Sequence, residues 1–437
     1  MLRKIALCWL LLTVIPASGL VAVDAPSRPL SSLRVLYVGT ERPEAWSSFL
    51  AEHVSKIEVV PRKGFDPARA ADFDVILLDW PQGEETREMR LLTSPLGDRN
   101  AWNRPTVLLG SAGLNMAVAW KMQGGAGCTC LSPMAYGLRE HEIFTGPHRI
   151  DSSAMVTIPT PEAFQDELTE KEISVLPVVD DRDKNWKAGW CTHAHYFDKN
   201  PDVEFMCGGV NEQTPTSAAI WRQGNFLHFG FEQSPQEMND VGRKLLLNSI
   251  AYIARFTEDR PIAVTPSVFA GPVCRPRTNP ERWLKGEAYK VEWVVDMFAP
   301  KEKELLTAMP TREEKLAWCR ENSAYFHPGS EPKLEIDEDL KQIETAFDQP
   351  SFFDRVLGDL DSQDAAAATR ARRLLQRYVP CGPGDDATPA AWRTWYRENS
   401  PFLFALDTGN YHWYIDPLAK KRNIPTANLH GPARANR

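Results

Sequence analysis

Two stretches of this chain carry the side chains that could do covalent chemistry. In Arg104-Pro-Thr-Val-Leu-Leu-Gly-Ser-Ala-Gly113 an apolar run enters a small-residue turn ahead of a helix expected to begin near Leu114. A hydroxyl at such a turn has the setting of a nucleophile elbow, where backbone N–H groups at the helix start can face a reacting oxygen. The second stretch, Gly224-Asn-Phe-Leu-His-Phe-Gly-Phe-Glu-Gln-Ser-Pro235, is an apolar run ending in a polar loop. A serine nucleophile needs a base within hydrogen-bond reach, so Ser111, Glu232 and His228 are the catalytic candidates. Period-two alternation places His228 on the face of Phe226 and Gly230, which favours a hydrogen-bonded core histidine. Asp79 closes another apolar run, and with Gly110, Gly113 and Gln233 it is a candidate ligand contact.

Three further patterns suggest other chemistry. Cys128-Thr-Cys130, Cys191-Thr-His193-Ala-His195 and Cys207 supply soft thiolate and imidazole ligands. Structural zinc sites space their cysteine pairs by two to four residues, so Cys-x-Cys argues for thiols or a disulfide, and no metal or cofactor is expected. Trp318-Cys-Arg-Glu-Asn-Ser323 and Trp395-Tyr-Arg-Glu-Asn-Ser400 repeat one motif, which implies a duplicated helical unit. Asn322 and Asn399 are helix-closing residues in this reading, with a sugar contact as the alternative. Asp407-Thr-Gly409 spells an aspartic protease triplet, but that chemistry needs a second copy, and the chain has none.

The elements that must position these groups follow from periodicity. Leu33–Val38, Ile57–Val60, Phe73–Leu78, Pro105–Leu109 and Ile173–Val179 read as buried strands, with a helix from Pro43 to His53. Ser217–Trp221 and Phe226–Phe231 read as a hairpin, followed by an amphipathic helix carrying Met238, Val241, Leu245, Ile250, Ile253 and Phe256. This is an α/β pattern: a flavodoxin-like, doubly wound, mostly parallel sheet over residues 32–265. In such sheets ligands sit outside the carboxyl ends of strands, so the Ser111 and Glu232 loops should share one crevice. Residues 266–281 form a Pro/Gly-rich linker, and residues 282–437 read as a mainly helical domain. Thr311 with Glu314 makes a capping box, Thr388-Pro389 starts another helix, and Ser362 is the expected cap of an Ala-rich helix from about Gln363 to Tyr378.

Element order and three segments resemble the ThuA-like (trehalose-utilisation) branch of the class I glutamine amidotransferase-like superfamily. Val107–Gly113 stands where those enzymes place a cysteine in Gly-x-Cys-x-Gly; His141-Glu-Ile-Phe-Thr-Gly146 is similar to His-Pro-Ile-x-x-Gly; and Gly224–Gln233 with Arg243–Ile250 resembles the final strand and helix. The resemblance covers roughly residues 32–260 and implies an amidotransferase-like fold. It also implies lost chemistry, because Ser111 replaces the cysteine, Leu109 replaces a glycine, and Gln233 stands where the histidine base belongs.

The N-terminus reads as an export signal over residues 1–22: Arg3 and Lys4, an apolar run from Ile5 to Ile15, then small residues to Ala22. An exported protein, periplasmic or extracellular, without a further membrane span is expected. Loss of that leader leaves a net charge of about −10, which disfavours nucleic acid and anionic lipid as partners. Seven of the eight cysteines would remain, an odd number that leaves at least one thiol unpaired. Three functions fit: a non-catalytic protein binding a small polar molecule or carbohydrate, a hydrolase or isomerase of sugar metabolism as the resemblance implies, and a structural cell-envelope component.

Overall fold

The computed structural model describes residues 28–122, 127–181, 184, 186–194, 199–264, 276–286, 289–329 and 333–429. The expected export signal, most of the 266–281 linker and His195 lie outside these residues. The chain begins with β1 (Arg34–Val38), α1 (Pro43–Ala51), β2 (Lys56–Val60), β3 (Val75–Asp79), β4 (Thr106–Leu109) and α2 (Ala112–Trp120). It continues through β5 (Cys128–Leu131), β6 (Met134–Tyr136), β7 (Val156–Pro159), β8 (Glu172–Pro177), β9 (Gly189–His193), β10 (Val203–Gly209), β11 (Ser217–Gln223), β12 (Phe226–Phe229) and α3 (Asp240–Ile253).

These strands make one mixed sheet in the order β2-β1-β3-β4-β12-β11-β10-β6-β8-β7, with β9 pairing β11 and β5. The α/β core is parallel from β2 to β12, and every pairing beyond it is antiparallel. The expectation of a mostly parallel sheet therefore describes the α/β core and not the strands beyond it. Parallel neighbours need long crossovers; the segment from β5 to β12 holds no α-helix among its described residues, so its strands return by short loops and pair antiparallel.

Alternation along the core strands splits the apolar residues between two faces. Val35, Tyr37, Val107, Leu109, Leu227 and Phe229 pack with α1 and α3, while Leu36, Val38, Leu108 and Phe226 pack with α2. Both faces of the core are thus covered, which is why β3 is buried at every residue. No helix among the described residues is long and apolar enough to cross a membrane.

From residue 276 on, helices dominate, joined by two small hairpins, Phe326–Pro328 with Leu334–Ile336 and Leu403–Leu406 with His412–Ile415. The repeated motif proves longer in space than in sequence. Helix Arg312–Asn322, capped by Thr311, and helix Pro389–Asn399, capped by Thr388, each run into a short 3-10 turn and a hairpin. Each hairpin ends in an aspartate, Asp337 or Asp416, that caps the next helix. Two expectations are corrected here. The Ala-rich helix is Ala365–Tyr378, and Asp364 caps it because its carboxylate accepts from the Ala366 N–H; Ser362 accepts from the Asp364 N–H one turn earlier. The linker ends sooner than residue 281, since Asn279–Lys285 is already helical with Pro280 in its first turn.

The two halves touch through charge. Asp348 takes both Lys199 and Arg277, and Glu258 takes both Lys421 and Arg422.

Candidate functional site

The carboxyl ends of β1, β3, β4 and β12 converge on one polar cluster. The turn from β4 into α2 is made at Gly110, which has φ +51 and donates its N–H to the Phe229 carbonyl at 2.8 Å. Only glycine adopts this left-handed conformation without penalty. A Cβ at Gly110 would stand 2.1 Å from Oε2 of Glu232. The space in which a side chain at the turn apex would lie is therefore filled by the Glu232 carboxylate. Ser111 comes one residue later, at φ −62, as the N-cap of α2. Its backbone N–H donates to Glu232 Oε2 at 2.8 Å and its hydroxyl donates to the same oxygen at 3.0 Å.

Behind Glu232 lies a chain of charges. Arg42 donates to the Glu232 carbonyl and stands 3.4 Å from Oε1 of the same residue. The guanidinium also clamps the fully buried Asp79, through Nε at 3.0 Å and Nη2 at 2.5 Å, and the Tyr37 hydroxyl donates to Asp79 at 2.5 Å. Burial raises the Glu232 carboxyl above its ordinary range, against the pull of Arg42 and the Ser111 N–H. Burial opposes the charge of Arg42, but its bonds to Asp79 more than offset that and raise it. Tyr37 is raised by burial and then by Asp79. Among the described residues, the donors that reach these two carboxylates belong to the cluster itself.

The other candidates fall elsewhere. Gly113 donates its N–H to the Gly110 carbonyl and presses on the sheet; a Cβ there would meet Trp190 at 2.6 Å and His228 Nδ1 at 2.9 Å. His228 is fully buried beneath α2, stacked on Trp221 with ring centroids 4.1 Å apart, and neither ring nitrogen has a hydrogen-bond partner among the described residues. The expected hydrogen-bonded core histidine is thus a core histidine without the bond. Burial pushes its pKa down to about 3, so it is neutral and sealed from the Ser111 hydroxyl by the first turn of α2. Gln233 is buried and donates from Nε2 to the Lys187 carbonyl at 3.0 Å.

Asn322 and Asn399 are buried far along the chain, each donating to the carbonyl four residues back, of Trp318 and Trp395. Their carbonyl oxygens accept from Lys341 at 3.3 Å and Lys420 at 2.7 Å, so both amides serve equivalent joints of the two repeats. Of the thiols, Cys128 and Cys130 form a disulfide with Cα atoms 5.4 Å apart, whereas Cys191, Cys207, Cys319 and Cys381 are free. The sulfurs of Cys128, Cys130 and Cys191 lie within 4.8 Å of one another, a group that includes neither His193 nor Cys207.

Ser111, Gly110, Glu232 and Asp79 are brought together as the strand ends implied; Tyr37 and Arg42 were missed. Their signals were present: a phenol tip in an otherwise apolar strand, and an arginine just before the Pro43 helix start, both near the end of β1, whose carboxyl end faces the same crevice. No protein-family model matches the chain, and no curated protein is significantly similar to it. Among solved structures, the chain is similar to a GMP synthase subunit protein from Thermoplasma acidophilum, with 13% identity and a TM-score of 0.33, over 52% of this chain and 96% of that one.

Proposed function

We propose that this chain is an exported, non-catalytic binding or scaffolding protein in which residues 32–265 form a ThuA-like, amidotransferase-like unit that has lost acyl transfer. Residues 282–437 act as a second, mainly helical unit that supplies contacts. One observation carries the reading: the turn apex is a glycine, and an internal carboxylate fills the space its side chain would take. Acyl transfer needs a nucleophile, a base and a free oxyanion donor. Here the Ser111 N–H is spent on Glu232, His228 is sealed below the helix, and Gln233 cannot accept a proton. A small anion would have to displace Glu232 to reach the helix N-terminus, so a neutral polar ligand or carbohydrate suits the crevice better than a carboxylate or phosphate.

The test pairs two measurements on the purified chain. Ammonia release from glutamine is expected to stay at the background rate, and a neutral sugar panel is expected to raise the melting temperature, with the shift lost in Ser111→Trp. Glutaminase turnover, or no ligand shift from any sugar, would reject the corresponding half of the proposal. One contact favours a second reading, a hydrolase of sugar metabolism: the Ser111 hydroxyl already donates to a carboxylate at 3.0 Å. Sugar ester or glycoside turnover abolished by both Ser111→Ala and Glu232→Gln would establish that reading instead.

A further inference from the structure

Away from the crevice, on the short β5–β9 ladder, the fold gathers three of its cysteines. β5 runs antiparallel to β9 with Cys128 directly opposite Cys191. Cys130 lies two residues further along β5, and the ladder is irregular between Cys128 and Leu131, the kind of bulge that re-aims side chains. The close approach is built into the backbone. A Cβ at Gly127 would fall 1.9 Å from the Cys191 carbonyl oxygen, and one at Gly189 would fall 2.2 Å from the Gly230 carbonyl oxygen. Glycine at both positions lets β9 sit tight against β5 on one side and the end of β12 on the other.

The outcome is three sulfurs within 4.8 Å of one another. Thiolates bound to one metal at about 2.3 Å stand roughly 3.8–4.0 Å apart, so small side-chain rotations bring all three to a common centre. Cys191 is buried, while Cys128 and Cys130 are partly exposed, which leaves a route in from solvent. Sulfur-only donor sets select thiophilic ions over the hard, oxygen-seeking ones.

We propose that Cys128, Cys130 and Cys191 form a redox-gated site for one thiophilic d10 cation, copper(I) or zinc(II). The gate is the Cys128–Cys130 bond. An external dithiol supplies two electrons and two protons: its own sulfurs become a disulfide, the Cys128–Cys130 bond breaks, and two thiols are released. The cation then binds three thiolates, and their protons leave to solvent. With the disulfide closed, Cys191 is the one remaining sulfur donor of the group, and one thiolate does not hold the ion. The Cys-x-Cys spacing that argues against metal in the sequence ceases to decide the matter once a third sulfur arrives from another strand.

The test uses the full chain, untreated or reduced with a phosphine that is then removed under anaerobic conditions. Each sample is titrated with copper(I) and, separately, zinc(II) against a chromophoric chelator. The reduced chain is expected to take about one ion, and the untreated chain none. Outer-shell changes at metal sites cost about 10–100-fold in affinity, so loss of a ligand in Cys130→Ser or Cys191→Ser is expected to cost at least about 100-fold, with Cys319→Ser as an unchanged control. Because Cys191 is buried and its variant can misfold, alkylation of the reduced wild type read peptide by peptide gives a second measure: bound metal should protect Cys128, Cys130 and Cys191 and leave Cys381 labelled as before. Metal uptake that is equal with and without reduction, no uptake by the reduced chain, or uptake unaffected by both serine variants overturns the proposal.

Discussion

Gly110→Ala is the substitution that most directly probes whether Glu232 occupies the place of an apex side chain. At φ +51 an alanine adopts a left-handed conformation at a cost of about 1–2 kcal/mol. Its Cβ would also stand 2.1 Å from Glu232 Oε2 and 2.8 Å from Cδ, so the carboxylate must leave. Leaving breaks its hydrogen bonds from the Ser111 N–H and hydroxyl, and bonds to a charged group contribute about 1.5–3 kcal/mol each before water replaces part of the loss. Together the single substitution is expected to destabilise the chain by about 4 kcal/mol. Glu232→Ala, which forfeits the same two bonds but vacates the space, should cost about 3 kcal/mol. In the double variant the hydrogen bonds are lost once rather than twice, and the added methyl enters an empty site. Its cost should be about 4 kcal/mol rather than the additive value of about 7, a coupling of roughly 3 kcal/mol. Denaturant titrations of the four proteins, compared at constant m-value, measure that coupling. Additivity within about 0.5 kcal/mol would refute the claim that the glycine and the carboxylate share one space.

The pH dependence of stability tests the two buried titrating groups. His228 has its folded pKa held near 3 against an ordinary 6.5, so as pH falls below 6.5 the unfolded chain binds a proton that the folded chain refuses. Stability should therefore decline from pH 6.5 towards 3, by up to about 5 kcal/mol, and His228→Phe should remove that slope while keeping the stack on Trp221. Glu232 has the opposite sign: its raised folded pKa favours folding while protonated, and that contribution is lost as pH rises above 4.5 through the folded value. Relative to wild type, Glu232→Gln should gain stability across that rise, and a parallel pH profile would contradict the burial argument. Arg42→Met strips the charge partner from fully buried Asp79 and is expected to cost about 3–5 kcal/mol in denaturant titration. Asn322→Ala and Asn399→Ala should each cost about 1–3 kcal/mol and leave any sugar-induced melting shift unchanged, because both amides are spent inside the fold.

Much of this protein was legible residue by residue. The buried β-branched runs Val35–Val38, Val75–Leu78 and Thr106–Leu109 declare strands, and Thr311 and Thr388 declare helix starts, because each signal resides in a few neighbouring residues and reports its own burial or its own unsatisfied N–H groups. The repeated Trp-x-Arg-Glu-Asn-Ser motif likewise announced two equivalent helix ends. Tertiary structure alone decided what those elements bring together. Glu232 reaches Ser111 across 121 residues and Arg42 across 190, and Cys128 meets Cys191 through a ladder of two short strands with no strong pattern of their own. Local periodicity specifies which face of a strand is buried; it does not specify which strand lies beside it. The order β3-β4-β12 places Asp79, Gly110 and Glu232 at one edge of the sheet, and only then does the positive φ of Gly110 become the space in which a carboxylate stands in place of a nucleophile.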